Sequence, residues 1–316
     1  MSASALAPLT VRYSPSDELP DGTLALLDFG TDGAASDPRR LRISLEPLGP
    51  GPLCERWTVE APVACGRQGA LRWSAGGGWL FVALELQEAE FGGIEAAAEQ
   101  AYKQLCGFVA ARAENHLLRI WNYLHDINAG EGDEERYRRF CIGRARGLSA
   151  RRIERYPAAT AIGQHSAPGL LQVYALCASQ AGEALENPRQ VSAWRYPREY
   201  GPTPPSFARA MRLPSGELAI SGTAAVVGHA SCHDRDLRAQ IAETCINLRA
   251  LLDRAALPDF DAASPLKIYV RHAEDAPAVN AALAMHLDVS VPRLLLVGDI
   301  CRRELLVEID GWRFAR

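Results

Sequence analysis

Lysine is close to missing from this 316-residue chain: of 34 basic residues only Lys103 and Lys267 are lysines, and 32 are arginines. Arginine is the better fork for carboxylates, because its planar guanidinium donates two parallel hydrogen bonds. A bias this general can equally be genomic. No charge of one sign dominates either. The net charge of −4 gives no general attraction to phosphate backbones or anionic lipid, so neither nucleic acid nor a membrane is an expected partner. No stretch approaches the roughly 20 apolar residues of a spanning helix. Met1 to Pro20 lack the basic start and apolar core of a secretory signal, so a cytoplasmic protein is expected. Eight cysteines (Cys54, Cys65, Cys106, Cys141, Cys177, Cys232, Cys245 and Cys301) are scattered without close pairs, and free thiols are expected. There is no Walker loop, no Rossmann glycine fingerprint, no Gly-x-Ser-x-Gly elbow and no paired Cys-x-x-Cys. What is there is an ordinary globular mix, 48% apolar and 23% charged, with length for about two domains.

The first 70 residues are rich in Pro, Gly and Asp and read as an irregular lead. A patterned block follows. Gly78 to Leu84 reads as a strand after a glycine turn, and Ile94 to Ala113 as a helix with Ile94, Ala98, Ala101, Leu105, Phe108 and Ala111 at helical spacing. Leu117 to Leu124 is a strand, Glu134 to Leu148 a helix, and Gly169 to Leu176 a strand. The same order recurs: Gly216 to Gly222, the helix Asp234 to Ala256, Pro265 to Arg271, a helix opened by Asp275, and the strands Arg293 to Val297 and Leu305 to Ile309. Trp79-Leu80-Phe81 corresponds to Glu217-Leu218-Ala219, and Arg119-Ile120-Trp121 to Lys267-Ile268-Tyr269. This is a duplicated α+β unit with one extra closing strand in the second copy. The expected boundaries are 1–70 for the lead, 71–185 for the first repeat, 186–213 for a Tyr/Pro-rich connector and 214–316 for the second repeat.

Three constellations could carry chemistry. His229-Ala230-Ser231-Cys232-His233-Asp234 has zinc-like spacing, but no matching second pair follows, and a turn capped by Asp234 explains the same residues; no metal site is expected. The connector from Trp194 to Ala210 mixes rigid prolines, tyrosine hydroxyls and arginine forks, which suits a small, flat, multiply anionic ligand; it is also what a surface loop over a domain seam would carry. In the strand from Leu305 to Ile309, Glu308 shares a face with Leu306. It is either a partly desolvated general acid or a solvated edge carboxylate.

The second half resembles the reactive-intermediate deaminase (YjgF-type) fold, which is similar to the trimeric chorismate mutases, through Ile220-Ser221-Gly222, the Asn280-bearing helix, and Arg293 followed by Val307-Glu308-Ile309. Longer motifs resemble the chorismatases: Trp121-Asn122-Tyr123, Phe140 to Ala145, Tyr196-Pro197 through Tyr200-Gly201-Pro202, Phe207 to Ala210, Ser221 to Ala224, Lys267 to Arg271 and Asp299-Ile300-Cys301-Arg302. They run co-linearly from Trp79 to the C-terminus, while the first 70 residues match too weakly to use.

The resemblance implies two tandem YjgF-like repeats with helices packed on one face of each sheet. It also implies removal of pyruvate from chorismate without a cofactor. Enol-ether cleavage is limited by protonation of the methylene carbon, and Glu308 matches the family's catalytic glutamate. Arg144, Tyr196, Tyr200, Arg209, Lys267 and Arg271 match candidates for holding the two carboxylates. One branch of the family adds water and carries alanine where this chain has Gly222 and Cys301. The other forms hydroxybenzoate, and these two residues place the chain with it, leaving open 3-hydroxybenzoate alone or together with 4-hydroxybenzoate. An imine deaminase and a non-catalytic metabolite-binding module are the competing readings. The duplication could supply within one chain an interface that trimeric relatives build between chains, which allows a monomer.

Overall fold

The computed structural model describes residues 5–30, 35–49, 54–149 and 156–314. Three sheets enclose one aromatic-rich core. The first contains β1 (Leu9–Ser14), β2 (Thr23–Phe29), β3 (Arg40–Ile43) and β4 (Cys54–Val59) in the order β1-β4-β2-β3. The expected irregular lead is therefore a folded layer, apart from residues 1–4, 31–34 and 50–53, which lie outside the described residues. Its strands are short and separated by Pro, Gly and Asp, which hides them in the sequence. Every residue of β2 is buried, as its unbroken Leu24-Ala25-Leu26-Leu27 run suits.

The second sheet and its helices are β5 (Ala64–Gln68), β6 (Leu71–Gly76), β7 (Trp79–Gln87), α1 (Ile94–Ala110), β8 (His116–His125), α2 (Arg136–Ser149), β9 (Ala158–Gln164) and β10 (Leu170–Ala178). The remaining elements are β11 (Glu183–Leu185), β12 (Ala210–Arg212), β13 (Leu218–Thr223), β14 (Val226–Val227), β15 (Ala230–Ser231), α3 (Leu237–Arg254), β16 (Leu266–Val270), α4 (Ala276–Leu283), β17 (Arg293–Val297), β18 (Asp299–Ile300) and β19 (Val307–Arg313); β11, β12, β13, β16, β17 and β19 make the third sheet, and β14 and β15 form a separate hairpin. The two strand orders, β9-β8-β10-β7-β6-β5 and β17-β16-β19-β13-β12-β11, are the same order repeated. In each copy one parallel pair, β8–β9 or β16–β17, is joined by a crossover helix, and the other neighbours are antiparallel.

Several expectations shift. The extra closing strand of the second copy is no extra: β9 is its counterpart. The alanines and glycine of Ala158 to Gln164 have low strand propensity, and only burial of the whole segment makes it a strand. The connector contains β12, and β11, expected in the first repeat, pairs with β12 in the third sheet. The last strand starts at Val307, not Leu305, and runs on to Arg313. The α3 cap is Asp236, whose side chain accepts from the Ala239 amide, rather than Asp234. Short β18 leaves its own repeat and pairs with β9, stitching the copies together.

Helices α1 and α2 cover the outer face of the second sheet, and α3 and α4 that of the third. The inner faces meet the N-terminal sheet in a core that includes Trp57, Trp121, Tyr174, Tyr269 and Trp312. Trp121 stacks on Tyr174 at 4.8 Å. Gly147 lets α2 lie against α1: a Cβ there would stand 2.8 Å from the Glu99 carbonyl oxygen. That close approach seats Arg144, one turn earlier on α2, under the repeat seam.

Candidate active site

A cavity of about 240 Å³ opens where the repeats meet, at the small-metabolite end of the scale on which drug-sized ligands occupy about 300–1,000 Å³. Both copies build it. The first supplies Arg144 from α2 and Thr160 from β9. The second supplies Gly222 from β13, Glu308 from β19, and Cys301 and Arg302 from the turn before β19. The connector closes one side with Tyr196, Tyr200, Phe207 and Arg209.

Glu308 is 6% exposed, and its carboxyl makes no hydrogen bond among the described residues. Burial, reinforced by the charge of Asp310, pushes its carboxyl up to about 8, against the pull of Arg119, Arg209 and Arg302. A carboxyl in this state carries a proton at neutral pH, which a solvated edge carboxylate does not. Gly222 lies against it. A Cβ on Gly222 would overlap Glu308 Oε1 and lie 2.7 Å from Cδ. Cys301 is held neutral: burial and the adjacent Glu308 push its thiol up to about 12. It therefore presents a polarisable, nearly apolar surface to the pocket.

Two buried guanidiniums face the same space. Arg209, 5% exposed, donates from Nη2 to the Tyr196 hydroxyl (2.6 Å) and the Val191 carbonyl (2.9 Å). Arg144, 1% exposed, donates from Nη2 to the Ser206 carbonyl at 2.6 Å. Among the described residues neither Nη1 makes a hydrogen bond or is sealed from solvent, so a donor on each guanidinium remains for an anionic ligand. A third guanidinium, Arg302, stands 4.1 Å from the Tyr200 ring centroid and 5.0 Å from that of Tyr196. It is tethered to the His229 carbonyl (2.8 Å) and Ser231 Oγ (3.0 Å).

Of the residues singled out from the sequence, Glu308, Cys301, Gly222, Arg144, Tyr196, Tyr200 and Arg209 line the cavity, and Lys267 and Arg271 do not. Lys267 is fully buried behind the pocket, where its Nζ donates to Glu55 at 2.6 Å and stands 3.6 Å from Asp310. Burial works against its charge, but Asp310 and Glu55 outweigh that and hold it protonated. Arg271 clamps the turn that carries Cys301 and Arg302. It pairs with Asp299 (2.5 Å) and donates to the carbonyls of Ile300 (2.9 Å), Arg302 (2.9 Å) and Leu305 (2.8 Å). Both are cations whose partners lie far away in the chain, and their residue types alone do not separate them from ligand-facing forks. Arg302, Thr160, Tyr137 and Phe207 line the cavity as well; Arg302 and Phe207 sit inside stretches that resemble the chorismatases, while nothing local in the sequence marks Thr160 or Tyr137.

The residues of the zinc-like cluster have other partners: His233 faces Glu243 at 3.1 Å, His229 faces Glu199 at 3.6 Å, and the Cys232 thiol donates to the Ala230 carbonyl. None of the eight cysteines forms a disulfide. Among the described residues no helix is long and apolar enough to cross a membrane.

Residues 55–177 match the family model described as chorismatase FkbO/Hyg5-like, N-terminal. The chain is 33% identical over 279 residues to a 3-hydroxybenzoate synthase of Streptomyces hygroscopicus, an alignment spanning 82% of this chain and 81% of that protein. It is 36% identical over 279 residues to a chorismatase of Streptomyces rapamycinicus, spanning 81% of each. A chorismatase crystal structure superposes with a TM-score of 0.87 at 30% identity, covering 99% of this chain and 100% of that one. The chain belongs to the chorismatase family.

Proposed function

We propose that this protein converts chorismate to hydroxybenzoate and pyruvate, with Glu308 as the general acid. The observation that carries this reading is a buried carboxyl without a hydrogen bond, lining one pocket together with the buried guanidiniums of Arg144 and Arg209. Glu308 gives its proton to the methylene carbon of the enolpyruvyl ether, and positive charge develops on the ether carbon. Arg144, Arg209 and Arg302 hold the carboxylates, and the tyrosine hydroxyls orient the ring. The neighbouring ring hydroxyl oxygen then bonds to the ring carbon as that carbon's bond to the pyruvyl oxygen breaks, and afterwards gives up its bond to the ring carbon it came from. Loss of one ring proton, returned to the Glu308 carboxylate, makes the ring aromatic. Atoms balance without water, and the enzyme ends as it began.

Gly222 and Cys301 support the hydroxybenzoate outcome. Gly222 leaves room for the acid where it stands, and the neutral Cys301 thiol offers water no strong partner beside the ring. The test is incubation of purified protein with chorismate, following pyruvate by a coupled assay and the aromatic product by chromatography. Equal amounts of pyruvate and hydroxybenzoate are expected. Absence of pyruvate release, or release with only a non-aromatic diol acid, refutes the reading.

A further inference from the structure

The catalytic strand carries a second carboxylate that the mechanism above does not use. Asp310 lies two residues beyond Glu308 on β19 and therefore on the same face. It is fully buried. Its Oδ2 accepts hydrogen bonds from Thr160 Oγ1 (2.7 Å), Trp121 Nε1 (2.9 Å), the Tyr269 hydroxyl (3.0 Å) and Arg119 Nη2 (3.1 Å). Lys267 and Glu55 complete the group, so two cations and two carboxylates close a formally neutral cluster with no exposed member. Thr160 links that cluster to the pocket it lines. Its single hydroxyl proton goes to Asp310, while its oxygen accepts from the Gly222 amide (3.0 Å) and from Arg119 (2.5 Å).

We propose that Asp310 is a positioning residue: an ionised carboxylate whose charge keeps Glu308 in its acid form, and whose tie through Thr160 sets the Gly222 backbone against which the Glu308 carboxyl rests. This extends the reading of Glu308 as the acid and depends on it. The division of roles follows from the donors each group has. Asp310 has four hydrogen bonds and two cations to stabilise its charge. The Glu308 carboxyl has no hydrogen bond and faces Asp310 from its own strand, Arg119 from β8, Arg209 from the connector, Arg302, and the neutral Cys301 and Tyr137. Two adjacent buried carboxyls do not both ionise cheaply, and the better-solvated one keeps the charge. Ligand binding sharpens the effect. Substrate carboxylates engage Arg209 and Arg302, two of the three guanidiniums that favour ionised Glu308, and leave only Arg119 to oppose Asp310. The acid form is therefore held to higher pH in the complex than in the free enzyme.

The experiment is the pH dependence of kcat and kcat/KM on chorismate for the wild type, Asp310→Asn, the double variant Asp310→Asn with Lys267→Met, and Glu308→Gln. The double variant keeps the cluster neutral through Arg119 and Glu55, and so covers the case in which the single variant fails to fold. In the wild type the alkaline limb of kcat should lie above that of kcat/KM. In both Asp310 variants the alkaline limb should move down by roughly one pH unit, with activity on the acid side largely kept, as expected for loss of a neighbouring like charge. A folded variant whose limb stays within about 0.2 units of wild type overturns the proposal, as does one that loses activity equally at every pH. Near-normal turnover by Glu308→Gln would instead break the underlying assignment of the acid, so the two failures are told apart.

Discussion

Gly222 and Glu308 share one space: the carboxyl of the glutamate occupies the position where any other residue at 222 would place its Cβ. The glycine is not there for an unusual backbone angle, because its φ lies outside the left-handed region. Nor does it bring the substrate ring closer to the backbone, since the acid itself fills the gap. Gly222→Ala must displace a buried side chain, and rotation into a new position is the route open to Glu308. Turnover of chorismate should fall by about tenfold or more, the scale of a misplaced general acid. Adding Cys301→Ala should shift part of the product from hydroxybenzoate to the dihydroxycyclohexadiene acid, read by chromatography after complete consumption. A fully active double variant that still gives only hydroxybenzoate would remove both residues from product choice.

Glu308→Gln should cut turnover by about 10² or more while chorismate still binds. It should also stabilise the fold. The carboxyl is raised to about 8 in the folded state, from about 4.3 when unfolded. The native state therefore resists ionisation, and the stability present below about pH 4 is lost progressively as pH rises to about 8. Glutamine has no such loss, so the variant should gain up to about 4 kcal/mol over wild type at pH 7. Melting temperatures at pH 5 and pH 8 measure it. A gap between the two proteins that does not widen with pH would contradict the buried, protonated acid.

Arg209→Ala should lower kcat/KM by roughly tenfold or more, because a lost charge-assisted hydrogen bond costs about 1.5–3 kcal/mol. Arg144→Ala should do the same. Unchanged kcat/KM in either variant would place that guanidinium outside the substrate contacts.

Lys267→Met alone should behave differently. It leaves Glu55 and Asp310 facing one cation, Arg119, in a dry core. Breaking a buried pair in this way costs about 3–5 kcal/mol, so the loss should appear as a lower melting temperature. A rise in KM with an unchanged melting temperature would return Lys267 to the ligand site.

What could be read from the chain by itself was local or repeated. Helical spacing located α1 and α3, glycine turns located β7 and β13, and recurrence of the same pattern disclosed the duplication, because periodicity and turn chemistry act over a few residues. The same reading put Glu308 beside apolar neighbours, and the resemblance to the chorismatases supplied seven residues that line one cavity. Tertiary structure decided the rest. The strands of the N-terminal sheet and β9 are short or alanine-rich, and become strands only when other layers bury them. Whether a cation faces ligand or core depends on partners far away in the chain: Glu55 lies 212 residues from Lys267. The acid form of Glu308 likewise comes from burial and from Asp310, and residue type alone is silent about both. Electrostatics in a dry interior is set by what the fold brings within a few ångströms, and sequence spacing does not encode that distance.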